Sequence, residues 1–562
     1  MAGLSADLEL MKKGAERADA QKSIDGFRGQ LGDAQQVLEQ QRQMVRDLAS
    51  EYRVAADALR GEYVLVSGGD LASWVRANHS HVSFALRSAS GGSLFDGSAE
   101  AMQGNPPVSS EELLLLSQKA ADDPEALKVY LQKLALLSPA ELADFAGQYP
   151  DVAHLPVPVS NDGVGNAQVV RDWWNADGAQ EFGLSSEQRE VLIAQLPGFV
   201  GNLEGVRYAD RDRANRVLLD FYVGHPELTS EYAKAALERI RSVLAKEEKG
   251  VPRSLINLDL TNMDISTYDA GMGNVLPNDM VATDDVLTSI ALGDLDGAEA
   301  VTITNPGMKS HPYDNLNPDG ADMDGMAQQI YNDQNDIYRL DKNVMNHAVI
   351  INLNYVTPQG ADVLGMGDAN RAAERNANSI DALNVLGNNL SFEDKNRKIY
   401  MWNHSYGSTT AGQTIQKVGS PVEAYYNVAG AGWGYEYFEN PDAADLEYLA
   451  KDTQGRPQMY STLANADNTA RWGETGSGRF DPRALKNSFE ISSEASKDGR
   501  FAAAEGHIDF PQDGVGYNTQ SSNSYRSGIL ITTGQTQKIN PDEIVFNPSP
   551  PQPSLDFIWG KK

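Results

Sequence analysis

The sequence predicts an α/β fold in which an all-helical region precedes a mostly parallel β-sheet with flanking helices. Three observations lead to this prediction. Apolar residues recur at helical spacing up to about residue 250, short β-rich runs alternate with helical segments from about residue 255 onward, and a serine-bearing turn stands between one such run and a helix. Strands that alternate with helices are typical of βαβ units, which build parallel sheets.

The composition excludes several classes of protein. The chain has 562 residues, with 78 acidic against 47 basic side chains and a formal net charge of -31. Such a negative surface repels phosphate backbones, so we expect no nucleic-acid partner. The sequence contains no cysteine, which rules out disulfides, thiolate metal sites and cysteine nucleophiles. We expect neither a metal nor a cofactor.

We expect a soluble chain without a transmembrane segment, because no stretch approaches the roughly 18 apolar residues of a membrane span. The first residues, MAGLSADLELMKKG, lack the apolar h-region of an ordinary signal peptide. A cytoplasmic location, export by a route independent of signal peptides and a place in a virion all stay open.

Four segments follow one another along the chain. Residues 1–105 predict an N-terminal helical arm or hairpin, a candidate surface for a protein partner or for self-association. Residues 106–250 predict short helices that pack on or cap the next domain, as in LSPAELADFAGQYP. Residues 251–540 predict the α/β domain, and the proline-rich residues 541–562 predict a tail.

Five runs predict strands of the α/β domain. They are AVTITNP (300–306), HAVIINLNYV (347–356), KIYMWN (398–403), AYYNVAG (424–430) and QMYSTLAN (458–465).

A nucleophile is predicted at Ser405, in the sequence WNHSYGS (402–408), between the strand run KIYMWN and the helix-forming TTAGQTIQK. A strand, a tight turn with a serine and a helix are the context in which a G-x-S-x-G elbow presents its nucleophile. Gly407 is the expected glycine two residues after the serine. Asn403 replaces the glycine expected two residues before it.

The partners of the serine follow from chain order, which in such folds is serine, acid, histidine. His507 is the one histidine of eight downstream of Ser405, so it is the candidate base. Asp467 directly follows the run QMYSTLAN and is the favoured acid, with Asp442 and Asp445 as alternatives. For His404, next to the nucleophile, we expect packing or a backbone hydrogen bond.

An oxyanion hole takes one backbone N–H from the residue after the nucleophile and one from the loop after an early strand. Tyr406 supplies the first candidate. The exit of the run AVTITN supplies the second, at Gly307 or Met308, since a glycine lets the backbone approach a ligand closely.

These residues resemble a largely actinobacterial family of α/β-hydrolase domains long catalogued as a domain of unknown function. Its members carry a G-H-S-Y-G-S elbow, and this chain has N-H-S-Y-G-S at 403–408. They also carry, upstream, a segment of the type P-x-x-I-G-N-L-D-G and then R-D-x-A-N, matched here by PGFVGNLEG (197–205) and RDRAN (211–215). The resemblance covers about residues 172–534. It implies an α/β-hydrolase fold with a Ser, Asp, His triad.

We therefore expect a serine esterase that acts on a carboxylic ester of a small-molecule or lipid-like substrate, with thioester and amide substrates left open. The alternative is a weak or inactive hydrolase fold that serves as a binding or structural component of a larger assembly, such as a secretion system or a phage particle. In that case the helical arm would be its docking element.

Overall fold

The computed structural model describes residues 108–120, 123–149, 152, 163–175, 183–246, 250–260, 286–316, 323–358, 361–387, 397–434, 441–507 and 514–547. The chain divides into two compact units, residues 1–105 and 106–562, and all described residues belong to the second. The helical arm predicted for residues 1–105 lies outside the described residues. Residues 548–562 of the predicted tail also lie outside them.

Eight helices occupy the described part of residues 108–246. They are α1 (Ser110–Lys119), α2 (Pro124–Leu136), α3 (Pro139–Gln148), α4 (Gly163–Asn175), α5 (Ser186–Gln195), α6 (Pro197–Asn202), α7 (Tyr208–Gly224) and α8 (Glu231–Leu244). Their starts follow from the sequence, because Ser138 and Ser185 each form a capping box with the residue three positions on. The first six helices share a core that includes the buried Tyr130, Trp174 and Phe199.

Nine strands form one sheet in the order β1-β2-β4-β3-β5-β6-β7-β8-β9. They are β1 (Arg253–Asp259), β2 (Leu287–Leu292), β3 (Ala300–Asn305), β4 (His347–Leu353), β5 (Lys398–His404), β6 (Ala424–Val428), β7 (Met459–Thr462), β8 (Ser488–Ile491) and β9 (Ile544–Asn547). The strands from β4 to β8 in this order pair in parallel, and β1, β2 and β9 pair antiparallel. The predicted α/β fold with a mostly parallel sheet is confirmed.

The five strand runs of the sequence correspond to β3 to β7, and the other four strands, β1, β2, β8 and β9, fall elsewhere. β1 and β2 precede the run AVTITNP, which is therefore the third strand of the chain. β9 lies beyond residue 540, inside the segment predicted as a tail. Its Phe546 pairs with Phe489 of β8, and the two rings lie 5.1 Å apart between centroids. This cross-strand contact explains why a short run within a polar segment joins the sheet.

The remaining helices cover the two faces of the sheet. They are α9 (Pro312–Asn315), α10 (Met323–Leu340), α11 (Gly367–Gly387), α12 (Tyr406–Thr414), α13 (Asn468–Ser477) and α14 (Asn523–Thr532). α8, α10 and α14 pack on one face around Trp402, while α11 and α12 pack on the other face around Met401. Alternate residues of β5 thus point into two separate cores. Across the described ranges, no helix combines the length and the apolarity that a membrane crossing requires.

Candidate active site

Ser405 lies at the turn between β5 and α12, in a backbone conformation that few residues other than glycine adopt. Its φ is 51° and its ψ is -123°. The turn is tied down by two backbone hydrogen bonds, from Ser405 N to the Val428 carbonyl (3.0 Å) and from Ala431 N to the Ser405 carbonyl (3.1 Å). Such strain at a buried serine is typical of a nucleophile elbow.

Glycine is required two residues after the serine for a steric reason. A Cβ atom on Gly407 would clash with the carbonyl oxygens of Asn305 and Pro306. Helix α12 therefore begins in contact with the end of β3, which brings the loop after β3 to Ser405.

The structure brings Ser405, His507 and Asp467 together. His507 Nε2 lies 2.8 Å from Ser405 Oγ, and His507 Nδ1 lies 2.9 and 3.1 Å from the two carboxylate oxygens of Asp467. With the proton on Nδ1, the imidazole donates to Asp467 and accepts from the serine hydroxyl. Asp467 is fully buried and Ser405 is 5% exposed.

The carboxylate of Asp467 is held by groups besides the histidine. It caps α13 by accepting from Ala470 N at 2.9 Å, and it accepts from the hydroxyl of Tyr517 at 2.9 Å. Burial by itself would raise the pKa of Asp467, but its hydrogen bonds, from His507 first, hold that pKa below its ordinary value. The acid is therefore ionised at neutral pH and fixed in direction. Tyr517 had no signal in the sequence, because it lies 50 positions from Asp467 and meets it only through the fold.

The two alternative acids are engaged elsewhere or exposed. Asp442 caps the short helical turn Ala443–Asp445 and accepts from Lys486 Nζ (2.7 Å) and Asn487 Nδ2 (2.6 Å). Asp445, at the end of that turn, is exposed. The geometry therefore favours Asp467 over both.

His404 packs against the candidate base. Its ring lies 5.2 Å from the His507 ring between centroids, and its Nε2 donates to the His507 carbonyl at 3.0 Å. Burial, followed by the nearby His507, lowers the pKa of His404 to about 3. His404 is thus neutral at pH 7, and it anchors the backbone of the histidine loop as the sequence led us to expect.

The loop after β3 lies directly against Ser405. A Cβ atom on Gly307 would stand 2.8 Å from Ser405 Cβ and 3.2 Å from Ser405 Oγ. The loop is pinned by the hydroxyl of Tyr355, which donates to the Pro306 carbonyl at 2.6 Å, and by Ser310 N, which donates to Thr357 Oγ1 at 3.1 Å. Met308 follows Gly307 and is half-buried.

On the other side of Ser405, Tyr406 is the first residue of α12. Its backbone N–H is one of the first-turn donors that have no acceptor within the helix. The candidate donors at Tyr406 and in the loop of Gly307 and Met308 therefore flank Ser405.

Asn403 is fully buried without disturbing the turn. Its Oδ1 accepts from Asn305 Nδ2 at 2.7 Å, and its Nδ2 donates to the Tyr426 carbonyl at 3.2 Å. The side chain that stands in place of the motif's glycine is directed to the neighbouring strands, where it forms these hydrogen bonds.

The two upstream segments PGFVGNLEG (197–205) and RDRAN (211–215) connect helices to the sheet. Arg211 forms a buried ion pair with Glu204 at 2.5 Å, and Glu204 also accepts from Ser379 of α11 at 2.7 Å. Asn202 and Asn215 donate to backbone carbonyls of β1. Glu204, Arg211 and Ser379 line a small cavity beside the sheet. None of the residues named here is hydrogen-bonded to Ser405 or His507 in the bonds described. These residues therefore have a structural role. Among the described residues, no cluster of three or more His, Asp or Glu side chains could hold a metal ion.

A sequence family described as Alpha/beta hydrolase matches residues 282–439, a segment that includes Ser405. This chain has the α/β-hydrolase fold. The match ends before Asp467 and His507, so it supports hydrolase activity at a coarse level and leaves the roles of those residues to the geometry. The crystal structure of carboxyl esterase 2 (TmelEST2) from the mycorrhizal fungus Tuber melanosporum is similar at 11% identity, over 46% of this chain and 84% of that one, with a TM-score of 0.24. No curated protein matches the chain.

Proposed function

We propose that this α/β hydrolase is a serine esterase that cleaves a carboxylic ester through an acyl-enzyme, with Ser405 as nucleophile, His507 as base and Asp467 as the orienting acid. The observation that carries the proposal is the unbroken path of hydrogen bonds from Ser405 Oγ through both imidazole nitrogens to a buried carboxylate. A serine that only forms a turn does not need this chain of hydrogen bonds to a histidine and a carboxylate.

The reaction follows from the positions of these atoms. As Ser405 Oγ attacks the acyl carbon, His507 Nε2 takes the hydroxyl proton, and Asp467 stabilises the resulting imidazolium. His507 then gives the proton to the oxygen of the leaving alcohol, whose bond to the acyl carbon breaks. Water, deprotonated by the same nitrogen, then attacks the acyl carbon. The bond from that carbon to Ser405 Oγ breaks, His507 returns the proton to Oγ, and the carboxylic acid leaves.

Negative charge on the carbonyl oxygen would be met by two backbone N–H groups. One is that of Tyr406 and the other is that of Gly307 or Met308, both next to Ser405. Carboxylic esters are the favoured substrates, since an alkoxide leaves more readily than an amide nitrogen. This choice rests on the fold and the triad geometry, because no described pocket specifies an acyl chain.

The test is labelling of the purified full chain with a fluorophosphonate, followed by peptide mass mapping. We expect label on Ser405 in the wild type and none in Ser405→Ala or His507→Ala. Asp442→Asn is the matched control for Asp467→Asn, and the Asp442→Asn variant should label at the wild-type rate. Turnover of p-nitrophenyl acetate, a matching thioester and an anilide then ranks the substrate classes. A folded wild type that stays unlabelled would refute the proposal and favour the role as a component of a larger assembly.

A further inference from the structure

A row of buried polar side chains crosses six strands of the sheet just before the loops that carry the candidate site. We call it the asparagine row. Its members are Ser289, Asn352, Asn305, Asn403, Asn427 and Ser461, on β2, β4, β3, β5, β6 and β7. Ser289 is the register partner of Asn352, Asn403 is that of both Asn305 and Asn427, and Asn427 is that of Ser461. Each member is 6% exposed or less.

The hydrogen bonds at the centre of the row run in one direction. Asn352 Nδ2 donates to Asn305 Oδ1 at 2.7 Å, and Asn305 Nδ2 donates to Asn403 Oδ1 at 2.7 Å. Asn403 Nδ2 then donates to the Tyr426 carbonyl at 3.2 Å. The two amide-to-amide bonds are at the short end of the usual N–H···O range. A chain of buried amides in which each is both donor and acceptor is more rigid than isolated bonds.

The position of the row connects it to the chemistry. Asn305 is the last residue of β3, and the loop with Gly307 and Met308 follows it at once. Asn403 stands two residues before Ser405. The bond between Asn305 and Asn403 therefore joins the strand that ends in the oxyanion loop to the strand that ends in the nucleophile. The glycine expected at position 403 has no side chain with which to make this bond.

We propose that Asn305 and Asn403 are positioning residues that fix the distance between the oxyanion donors and Ser405. The proposal rests on the esterase function proposed above. An apolar pair of similar size would fill the same space without the cost of burying two amides, so packing alone gives no reason for the pair. The two asparagines act on the reaction by positioning the loop of Gly307 and Met308. They do not themselves donate a hydrogen bond to the oxyanion.

The test is a double-mutant cycle on the full chain with Asn305→Ala, Asn403→Ala and the double variant, read as kcat and KM for p-nitrophenyl acetate and as the rate of fluorophosphonate labelling. We expect each single change to lower kcat and the labelling rate by about 10- to 100-fold, because small displacements of reacting groups cost this much. KM should stay within about twofold. The double variant should be little worse than either single one, because both remove the same bond.

Asn335→Ala is the matched control. Asn335 is also a buried asparagine, but it bonds the carbonyls of Tyr331 (2.9 Å) and His347 (3.1 Å), at the opposite end of β4 from the site. It should lower thermal stability and leave kcat within about twofold. If Asn403→Ala does not fold, Asn403→Ser takes its place, since serine is too short to reach Asn305.

Each outcome has a separate meaning. If the wild type labels and the Asn305 and Asn403 variants match its kcat, the pair is structural and the inference is wrong, while the esterase proposal stands. Strictly additive losses in the cycle also contradict it. If the folded wild type neither labels nor turns over ester, the proposed function has failed and the inference fails with it.

Discussion

A methyl group on Gly307 should separate the loop proposed to hold the oxyanion from Ser405, the proposed nucleophile. The added Cβ would stand 2.8 Å from Ser405 Cβ, whereas carbon atoms in contact lie about 3.5–4.0 Å apart. Gly307→Ala must therefore open a gap of roughly 0.7 Å or more between the two. The φ of Gly307 is not positive, so its backbone accepts alanine and the effect is purely one of contact. We expect kcat to fall by about 10- to 100-fold, as for displacements near 1 Å.

The assay is kcat and KM for p-nitrophenyl acetate, with a thermal melt of each variant. Gly147→Ala in α3 is the matched control, because nothing lies within 4 Å of its added Cβ. Alanine is also the better helix former, so this control should melt at the wild-type temperature or above it, with kcat unchanged. A folded Gly307→Ala enzyme with kcat within twofold of the wild type would refute the reasoning, since the loop could then not lie against the nucleophile during the reaction.

Three further predictions concern the acid and the buried histidines. Tyr517→Phe removes a hydrogen bond to the ionised Asp467, so it should lower the free energy of unfolding in urea by about 1.5–3 kcal/mol and also lower kcat. Asp467→Asn should lower kcat by roughly 10⁴-fold through the wrong histidine tautomer, whereas Asp442→Asn should leave it unchanged. Burial lowers the pKa values of His347 and His404 to about 3. Between this pH and about 6.5, each histidine therefore binds a proton in the unfolded chain but not in the folded chain. The free energy of unfolding should therefore rise with pH between about 3 and 6.5, by about 1.4 kcal/mol per pH unit for each histidine, and His347→Gln should remove one such contribution.

The sequence was most informative about the middle of the sheet. Strands β3 to β7 are buried on both faces, so each reads as an apolar run between turns, and the structure places strands in all five runs. β9 has no such pattern, because it joins the sheet at an edge through Phe546 and keeps Val545 exposed. Local sequence cannot signal a strand that depends so largely on its partner.

The candidate triad residues could be named in advance because fold topology fixes their order along the chain, and histidines are few. Asn305 and Asn403 could not be recognised as a pair, since their contact depends on the register between β3 and β5. Asn403 looked like a departure from the elbow motif, and its hydrogen bonds became visible only beside its neighbours in the sheet. Pairings of this kind lie beyond any pattern that a single sequence contains.

Helices α6 and α7 supply side chains that cover the outer edge of β1 and so bear on solubility. β1 pairs with β2 alone, so its outer side would present free N–H and C=O groups to other molecules. Instead, Asn202 bonds both the N–H and the C=O of Leu258, at 3.0 and 2.8 Å. At Leu255, Asp212 accepts from the N–H at 2.6 Å and Asn215 donates to the C=O at 2.9 Å.

At Leu255 and Leu258 these side chains imitate the bonds of a tenth strand, so that this edge of the sheet is less open to β-pairing with another chain. A fragment begun at residue 251 would keep the whole sheet and lose this shield. Such a fragment would be prone to aggregate edge to edge, so the helices and the sheet must be produced together.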